Sequence, residues 1–237
     1  MADSRIPHVD RPSVVLPALA LAVVLGFFGF HGTGGESLDL AVQSWFWDGR
    51  DWLIPKDSGW FHQLAYTGPK VLLYAFALGL LWTIAFPGRS PAWLGRRRAI
   101  YLFLSLAMVS LVCTQLRSIT HMATPRDLSI YGAVAPNAWA HLLLFDTKPA
   151  LYPSHAFPAG HASGGFALLA LAFAWGTAEA RRRGALIGLV YGAGMGVYQI
   201  ARGEHFLSHT VATAVLAWLI VAVLARWLKP GELSSPN

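Results

Sequence analysis

Six strongly apolar stretches of the 237-residue chain contain no Asp, Glu, Lys or Arg, and they constrain the fold more than any other feature. They cover residues 14–30, 71–86, 99–116, 162–178, 184–201 and 210–225. Each has 16 to 18 residues, close to the roughly 17–25 that a membrane-crossing helix needs and far above the about 4–8 of a buried strand. The sequence therefore predicts an all-α membrane protein with six transmembrane helices in a single domain, 1–237.

The composition supports this prediction and excludes other classes. Charged residues make up 13% of the chain and hydrophobic residues 55%, whereas about a quarter of the residues in a soluble domain are charged. Six spans with short connections use nearly the whole length, so we expect no second folded domain. A cleaved signal peptide is the alternative for 14–30, which follows Arg5 and Arg11, but its apolar stretch exceeds the usual core of about 7–15 residues.

The basic residues indicate how the spans are oriented. If the runs alternate across the membrane, eleven of the 18 Lys and Arg share one side with four acids, a net charge of +7. These eleven are Arg5, Arg11, Arg89, Arg96, Arg97, Arg98, Arg181, Arg182, Arg183, Arg226 and Lys229. The other seven share their side with eight acids, a net charge of −1. The positive-inside rule then places both termini in the cytoplasm and the second side in the periplasm of a bacterial-type inner membrane.

Two long stretches on the outer side are expected to form a layer of interfacial helix and loops over the bundle. In residues 31–69, Leu38, Val42 and Trp45 fall on one helical face, which is typical of a short helix at the membrane interface. An aromatic-rich loop packed on the bundle is the alternative. Residues 117–161 are too long for a plain connection, and such loops often carry function.

Histidine is concentrated on the outer side of the predicted bundle. Eight of the nine histidines lie there or at its boundary, namely His31, His62, His121, His141, His155, His161, His205 and His209. Three short segments with ionisable residues, 117–128, 157–163 and 202–209, abut the outer ends of spans. Since the topology is drawn from charge and hydropathy alone, their location at one face predicts a shared pocket.

The segment from Phe157 to Ser163 is suited to binding an anion. Its Pro and Gly shape a turn before an apolar helix, and the first N–H groups of that helix have no intrahelical acceptor. Arg117 and Arg202 would add fork-shaped charged donors that match phosphoryl oxygens. Arginines that merely lie at the interface are the alternative for each taken alone. Together the segments predict a phosphate site, and the +6 charge of the chain needs no nucleic-acid partner.

His205 and His209 are four residues apart and share a helical face if the last helix begins early. A neutral His205 could attack phosphorus while His209 accepts a hydrogen bond from its far nitrogen. His161 could then protonate the departing alkoxide. A structural histidine pair and a metal site are the alternatives, although the zinc-protease spacing requires Glu where Phe206 stands. We expect no metal or other cofactor, and Cys113, the single cysteine, forms no intramolecular disulfide.

Over about residues 100–225 the chain resembles the type-2 phosphatidic acid phosphatase superfamily of integral-membrane lipid phosphatases. That family carries the motifs K-x6-R-P, P-S-G-H and S-R-x5-H-x3-D, in this order, on six helices. The second motif is matched by Pro158, Ala159, Gly160 and His161, with Ala159 where Ser is usual. The order of the motifs and the predicted topology both agree with the resemblance.

The third motif matches with two departures. His205 aligns with the nucleophilic histidine of the family, and His209 stands where the family has aspartate. The family's arginine falls on Gln199. Arg202 is therefore expected to supply the missing positive charge from about one helical turn later.

The first motif departs further from the family pattern. Arg117 aligns with the lysine and Pro125 with the proline, while Thr124 replaces the arginine and Arg126 comes closely after it. Arg126 and its neighbour Asp127 are therefore included among the expected substrate-binding residues.

The resemblance implies a metal-independent reaction through a phosphohistidine, with His205 as nucleophile, His161 as general acid and His209 orienting. The expected substrate-binding residues are Arg117, Arg202, Arg126, Ala159, Gly160 and Asp127. Loss of the family's carboxylate beside His205 lowers the pKa of that imidazole. We therefore predict activity that extends to mildly acidic pH, unless Asp127 or Glu204 restores the missing charge.

The leading hypothesis is hydrolysis of a phosphomonoester or diphosphate on a membrane lipid at the periplasmic face. The partners are then the phosphorylated lipid and the bilayer, with no obligate protein partner. A phosphotransferase that passes the group to a second lipid uses the same intermediate and is not distinguished by the sequence. A noncatalytic lipid-binding or transport bundle is the alternative from another class, which midplane charges or helix breaks would favour. The headgroup stays open among phosphatidic acid, phosphatidylglycerol phosphate, undecaprenyl diphosphate and lipid A phosphates.

Overall fold

The computed structural model describes residues 12–56, 59–134, 138–152 and 155–231. Over these ranges the chain is helical and forms no strand beyond isolated bridges, so the predicted all-α class is confirmed. The helices are α1 (Val15–Gly29), α2 (Gly35–Ser44), α3 (Trp60–His62), α4 (Gly68–Ala85), α5 (Arg96–Thr120), α6 (Gly160–Ala167), α7 (Leu171–Ala174), α8 (Ala178–Ala201) and α9 (Leu207–Leu228). A π-helical turn, Gln63–Thr67, joins α3 to α4.

Four helical segments of the described residues are long and apolar enough to cross a membrane. They are Trp60–Ala85, Arg96–Asp127, Ala178–Ala201 and Leu207–Leu228. Two shorter apolar helices, Val15–Gly29 and Gly160–Ala174, occupy the first and fourth predicted runs. At 1.5 Å per residue, a helix of this length reaches only about 22 Å, against about 30 Å for the hydrocarbon core. The structure therefore shows four candidate spans where the sequence predicts six.

The connection between α7 and α8 differs from the predicted run boundaries. Helical structure ends at Ala174, and Trp175 is extended. Thr177 then caps α8, because its side chain accepts a hydrogen bond from the N–H of Ala180 at 3.2 Å. This cap lets α8 begin at Ala178, ahead of the predicted run 184–201, so the arginines of this turn belong to a helix.

Small residues bring α6 and the short helical turn after it, Leu168–Ala170, into backbone contact with α8. A Cβ on Gly165 would lie 2.7 Å from the Cα of Gly192, and a Cβ on Gly188 would lie 2.4 Å from the backbone N of Leu169. Such close approach is typical of helix pairs in membranes. Among the described residues, no atom beyond the adjacent residues and the backbone of its own helix lies within 4 Å of a Cβ on Gly194, so Gly194 lies outside this contact. The packing fixes the N-terminus of α6, which carries His161.

The predicted cytoplasmic and outer ends of the helices gather at opposite ends of the bundle. At the end opposite the three motif segments, the Arg97 side chain donates to the carbonyl of Leu228. Arg98 donates to the carbonyls of Ala174 at 3.0 Å and Trp93 at 2.7 Å. Arg97 and Arg98 thus stabilise the C-terminal ends of α9 and α7, respectively. Arg5 and Arg11 and both termini, which the predicted orientation also uses, lie outside the described residues.

Helix α2 lies at the expected place, but its polar residues face the protein. Asp39 and Gln43 are buried, whereas Leu38 and Trp45 are 40% and 74% exposed. The Gln43 amide donates to the carbonyl of Ile200 at 2.9 Å. Asp39 accepts a hydrogen bond of 2.8 Å from the N–H of Ser208 at the start of α9. Helix α2 therefore presents apolar side chains outward and attaches by polar contacts to the segment that carries the third motif.

The described residues between α5 and α6, 121–134, 138–152 and 155–159, fold over this end of the bundle. The backbone N–H of Ser129 donates to the carbonyl of Trp139, and that of Trp139 to the carbonyl of Asp127, both at 2.9 Å. A buried aromatic cluster beneath the loop contains Trp52, Tyr131, Tyr152 and Phe206 together with Ala123 and Leu128. The long connection therefore has its own core above the motif residues.

Candidate active site

The structure brings the three predicted histidines together at one end of the bundle. His161 is the second residue of α6, His205 lies in the turn between α8 and α9, and His209 is the third residue of α9. The ring centroids of His161 and His205 are 6.0 Å apart, and those of His205 and His209 are 5.7 Å apart. His205 is 2% exposed and His209 is fully buried. The predicted shared site is thus a closed cluster of imidazoles.

A glycine-dependent turn places His205 directly after α8. Gly203 has a φ of +72°, its N–H donates to the carbonyl of Ile200, and the N–H of Glu204 donates to the carbonyl of Gln199, both at 2.9 Å. This pair of bonds is a Schellman motif, in which glycine adopts the left-handed conformation at low cost. A Cβ on Gly203 would also lie 2.4 Å from the Trp52 ring, so two constraints require glycine here.

The environment of His205 favours the neutral imidazole. Burial lowers the pKa of His205 well below its usual range, and nearby His209, His161 and Arg117 lower it further, while the backbone of Ala156 acts in the opposite direction. Neither ring nitrogen of His205 or of His209 makes a hydrogen bond of ordinary geometry within the described part of the chain. The two rings lie at 72° to each other, and the predicted hydrogen bond between them is not formed in this structure.

Arg117 lies where the sequence predicts a phosphate-binding charge. Its side chain donates through Nε to the carbonyl of His155. Its guanidinium packs against the start of α6, because a Cβ on Gly160 would lie 2.5 Å from the Arg117 Nη1. The positive charge acts on both His161 and His205. Gly160 therefore leaves room for the close approach of the guanidinium.

Arg202 is nearly buried beside the same cluster. It is 6% exposed, its Nη2 donates to the carbonyl of Lys56 at 2.9 Å, and its Nη1 lies 3.5 Å from the Oε1 of Gln199. Its Nε has no hydrogen-bond partner among the described residues, and its charge acts on His161. Gln199, at the position of the family's arginine, thus contacts the residue expected to replace that arginine.

Arg126 connects the first-motif loop to the third-motif turn. Its Nε donates to the carbonyl of Arg202 and lies 3.5 Å from Glu204 Oε1. The backbone N–H of Arg126 also donates to the carbonyl of Gly203 at 3.1 Å. Its guanidinium lies 5.6 Å from the Trp52 ring. The charge of Arg126 is therefore engaged by Glu204, and its contacts hold the turn that carries His205.

Asp127 acts as a cap within its own loop. Its Oδ2 accepts hydrogen bonds from the backbone N–H of Thr124 at 2.9 Å and from the Thr124 hydroxyl at 2.8 Å. These bonds close the short helical turn Pro125–Asp127. Because both ring nitrogens of His205 lack a partner in the described structure, neither Asp127 nor Glu204 stands in hydrogen-bond contact with it.

The backbone N–H of Ala159 is already committed within the fold. It donates to the Thr213 hydroxyl at 2.7 Å and lies 3.3 Å from the carbonyl of His209. The first-turn N–H groups of α6 that a ligand can use therefore begin at Gly160. Thr213 positions the second motif against α9, a contact that the sequence motifs do not predict.

Two further residues reach the cluster from the first turn of α4 and from the π-helical turn before it. The Tyr66 hydroxyl lies 2.5 Å from Nε2 of His161, and Lys70 Nζ donates to the Tyr66 hydroxyl at 2.8 Å. The charge pattern predicts Lys70 on the outer side, but the motifs give it no role. The available signal was the i, i+4 spacing of Tyr66 and Lys70 at the outer end of an apolar run.

A large apolar cavity adjoins the histidine cluster. Its volume is about 590 Å³, and its lining includes Leu21, Leu25, Leu116, Ile119, Leu216 and Phe157. The Phe157 ring stands 5.4 Å from the ring of His209, so one side chain separates the cavity from the cluster. Within the described residues, no group of three or more His, Cys, Asp or Glu side chains is arranged to hold a metal ion.

Fold and site together define a membrane protein whose buried imidazoles and cations converge at one end of a helical bundle. The sequence profile of the PAP2 superfamily matches residues 98–231, which is more than half of the chain, and the protein therefore belongs to this superfamily. Membership confirms the resemblance drawn from the motifs and, with it, the predicted enzyme class, a lipid phosphatase.

A solved structure shows the same fold. The chain is similar to the first transmembrane PAP2 type phosphatidylglycerolphosphate phosphatase from Bacillus subtilis, with a TM-score of 0.54 and 15% sequence identity. The alignment covers 90% of this chain and 94% of that one. No curated protein sequence matches the chain. The likeness confirms a membrane protein with a transmembrane PAP2 architecture.

Proposed function

We propose that the protein hydrolyses a phosphomonoester or diphosphate on a membrane lipid, without a metal ion, through a phosphohistidine. The observation that carries this proposal is the pair of His161 and His205, whose ring centroids lie 6.0 Å apart among cationic side chains. In the proposal one phosphoryl group lies between the two rings, with the attacking nitrogen on one side of the breaking P–O bond and the donating nitrogen on the other.

His205 is the nucleophile in this proposal. A ring nitrogen attacks phosphorus, the bond to the lipid oxygen breaks, and His161 delivers a proton to that oxygen. Water then attacks the phosphohistidine and releases phosphate. The lowered pKa of His205 supports this role, because the neutral imidazole is the nucleophilic form. His209, whose ring nitrogens are unpaired in the described structure, accepts a hydrogen bond from His205 as positive charge develops on it.

Positive charge for the phosphoryl oxygens comes from two guanidinium side chains. Arg117 and Arg202 both act electrostatically on His161. Guanidinium donors match phosphoryl oxygens in geometry, and the free N–H groups at the start of α6 add a helix N-terminus. Donors placed before the reaction stabilise the charge of the transition state. Arg126 and Asp127, by contrast, support this site through the loop contacts already described.

The cavity supports a lipid substrate. Its lining is mainly apolar and it ends at Phe157, next to His209. A hydrocarbon chain in this cavity would place a headgroup beside the cluster and would gain about 0.8 kcal/mol for each buried CH2 group. Because the Bacillus subtilis neighbour is a phosphatidylglycerolphosphate phosphatase, phosphatidylglycerol phosphate comes first among the candidate substrates.

The same proposal includes a single domain over 1–237 with six spans in a bacterial inner membrane. Both termini lie in the cytoplasm and the histidine cluster lies at the periplasmic face. The positive-inside rule supports this orientation, because Arg97 and Arg98 lie at the end of the bundle opposite the cluster. The two short helices then cross a locally thinned bilayer or pack within the bundle.

A phosphate-release assay tests the proposed function. Purified protein in detergent, with a metal chelator present, is given phosphatidylglycerol phosphate, phosphatidic acid, undecaprenyl diphosphate and a lipid A phosphate. We expect release from at least one of them, and loss of that release in His205→Ala. His31→Ala removes an exposed histidine of the same side and should retain activity. Release from no lipid, or equal release by His205→Ala and wild type, would contradict the proposal.

A further inference from the structure

A chain of two hydrogen bonds reaches the proposed general acid from outside the region that matches the family. Lys70 Nζ lies 2.8 Å from the Tyr66 hydroxyl, which lies 2.5 Å from Nε2 of His161. Lys70 Nζ also stands 4.1 Å from the centre of the Tyr66 ring. Tyr66 and Lys70 precede residues 98–231, where the superfamily profile matches, so the family motifs assign them no role.

The chemistry of the three groups fixes the direction of the protons. A lysine ammonium has donors and no acceptor, so Lys70 donates to the Tyr66 oxygen. Among the described residues, the hydroxyl proton of Tyr66 has a partner only when it is directed to His161 Nε2, and in that arrangement Nε2 is the acceptor. A neutral His161 therefore carries its own proton on Nδ1. That atom is buried and has no hydrogen-bond partner within the described residues, so it is free to donate to a substrate.

The backbone around Tyr66 is specialised for this contact. Tyr66 lies in the π-helical turn Gln63–Thr67, in which the N–H of Gly68 donates to the carbonyl of Gln63. Pro69 has no N–H, so the ordinary helical bond to Ala65 is not available. Turns of this kind are rare in proteins, and many of those that occur lie at functional sites.

A second aromatic contact holds the Tyr66 ring in place. The His62 ring stacks on it with centroids 4.5 Å apart and planes at 21°. His62 Nδ1 is in turn 3.0 Å from the hydroxyl of Tyr198 in α8. The Tyr66 ring is therefore held by a stacked imidazole that is itself attached to α8.

From this geometry we propose that Tyr66 and Lys70 are positioning residues that orient and reprotonate His161. The inference rests on the proposed function, in which His161 is the general acid. As the P–O bond breaks, the Nδ1 proton of His161 passes to the leaving oxygen. The Tyr66 proton passes to Nε2, and a Lys70 proton replaces it on Tyr66. Each group loses and gains one proton except Lys70, which ends neutral and regains its proton when water cleaves the phosphohistidine.

The dependence on the leaving group tests this relay. An alkyl alkoxide must be protonated as it leaves, whereas a nitrophenolate leaves without a proton. The assay therefore compares kcat/KM for dodecyl phosphate and for 2-nitrophenyl phosphate with a dodecyl chain on the ring. General acid catalysis contributes about 10²–10⁴-fold. We expect Tyr66→Phe and Lys70→Met each to lower kcat/KM for the alkyl substrate by about 10-fold or more, with the aryl substrate changed by less than about 3-fold.

Two controls separate positioning from folding. Tyr191 donates its hydroxyl proton to the carbonyl of Pro69 at 2.8 Å, so Tyr191→Phe removes a hydrogen bond to the same segment without touching His161. It should leave both substrates unaffected. His161→Asn should show the same selective loss with the alkyl substrate, and adding Tyr66→Phe to it should have no further effect if the residues act as one unit.

The outcomes distinguish the relay from the function on which it rests. Equal losses with both substrates in Lys70→Met would mean that Lys70 binds the phosphoryl group directly, and would overturn the relay. Unchanged alkyl hydrolysis in Tyr66→Phe would overturn it as well. If wild type cleaves neither substrate nor any lipid, or if His161→Asn loses both equally, the failure lies in the proposed function and the relay falls with it.

Discussion

Replacing Asp39 by Asn should remove the pH dependence of stability that this carboxyl imposes. Asp39 lies on α2 and accepts a hydrogen bond from Ser208 at the start of α9. Burial raises the pKa of Asp39 from 3.8 to about 6, and hydrogen bonds from Ser208 offset only part of this. The native state therefore binds the Asp39 proton more tightly than the unfolded state does. As pH rises from about 4 to about 6, wild type should lose about 3 kcal/mol of unfolding free energy through this group.

Asparagine keeps an acceptor for the Ser208 N–H and removes the charge. The Asp39→Asn protein should therefore match wild type near pH 4 and exceed it by up to about 3 kcal/mol above pH 6. For a chain of this size that corresponds to a difference in Tm of roughly 6–12 °C. Thermal unfolding in detergent, followed by tryptophan fluorescence between pH 4 and pH 8, measures the difference directly. All other titrating groups are shared, so subtraction isolates Asp39.

Asp48 provides a control of opposite sign. Its pKa is lowered because its carboxylate accepts hydrogen bonds from the backbone N–H groups of Asp51 and Arg50. Its contribution to stability is present above the unfolded pKa and is lost as pH falls. Asp48→Asn should therefore lose stability relative to wild type as pH rises, where Asp39→Asn gains it. If the curves of Asp39→Asn and wild type run parallel from pH 4 to pH 8, the argument from burial is refuted.

The site and its packing lead to three further predictions. His209→Asp restores a carboxylate beside His205 and should raise the pKa of the His205 imidazole. The acid limb of the pH profile of kcat/KM should therefore move to higher pH, and an unchanged profile would contradict this. Gly188→Ala forces a Cβ to 2.4 Å from the Leu169 backbone and should destabilise the protein by about 1–3 kcal/mol, measured as a drop in Tm, whereas Gly194→Ala meets no atom within 4 Å and should be neutral or stabilising. Leu25→Trp narrows the apolar cavity. In the phosphate-release assay it should raise KM for long-chain lipid phosphates more than for short-chain ones. An equal rise for both chain lengths would show that the cavity does not hold the hydrocarbon chain.

Hydropathy and local motifs predict the parts of this protein that depend on short-range sequence. The apolar runs give the helices because a long stretch without charges has few other stable forms in a membrane. His161, His205 and His209 come together because each lies within a few residues of a helix end, and the alternation of the runs brings those ends to one side. Gly160 is also within reach of sequence reasoning, because a glycine at a helix start permits close approach of another group.

The features that the sequence does not predict depend on how side chains pair across the fold. Arg126 and Asp127 lie just after the first motif, yet their contacts with Glu204 and Thr124 hold loops together. Asp39 and Gln43 face inward because the third-motif segment offers them the N–H of Ser208 and the carbonyl of Ile200. Periodicity distinguishes the two faces of α2 but does not indicate which face meets the protein.

The π-helical turn before α4 allows one segment to face the hydrocarbon with α4 and the histidine cluster with Tyr66. An extra residue in a turn rotates the preceding residues by about 100° relative to the helix after it. Helix α4 exposes Val71, Leu72 and Leu78 on its outer surface, while Tyr66, just before it, contacts His161. Without the turn, one helical register would have to satisfy both the hydrocarbon and the polar cluster. Deleting Thr67, which lies between Tyr66 and α4, would therefore act as a rotation of Tyr66 away from His161, with the membrane-facing surface of α4 left intact.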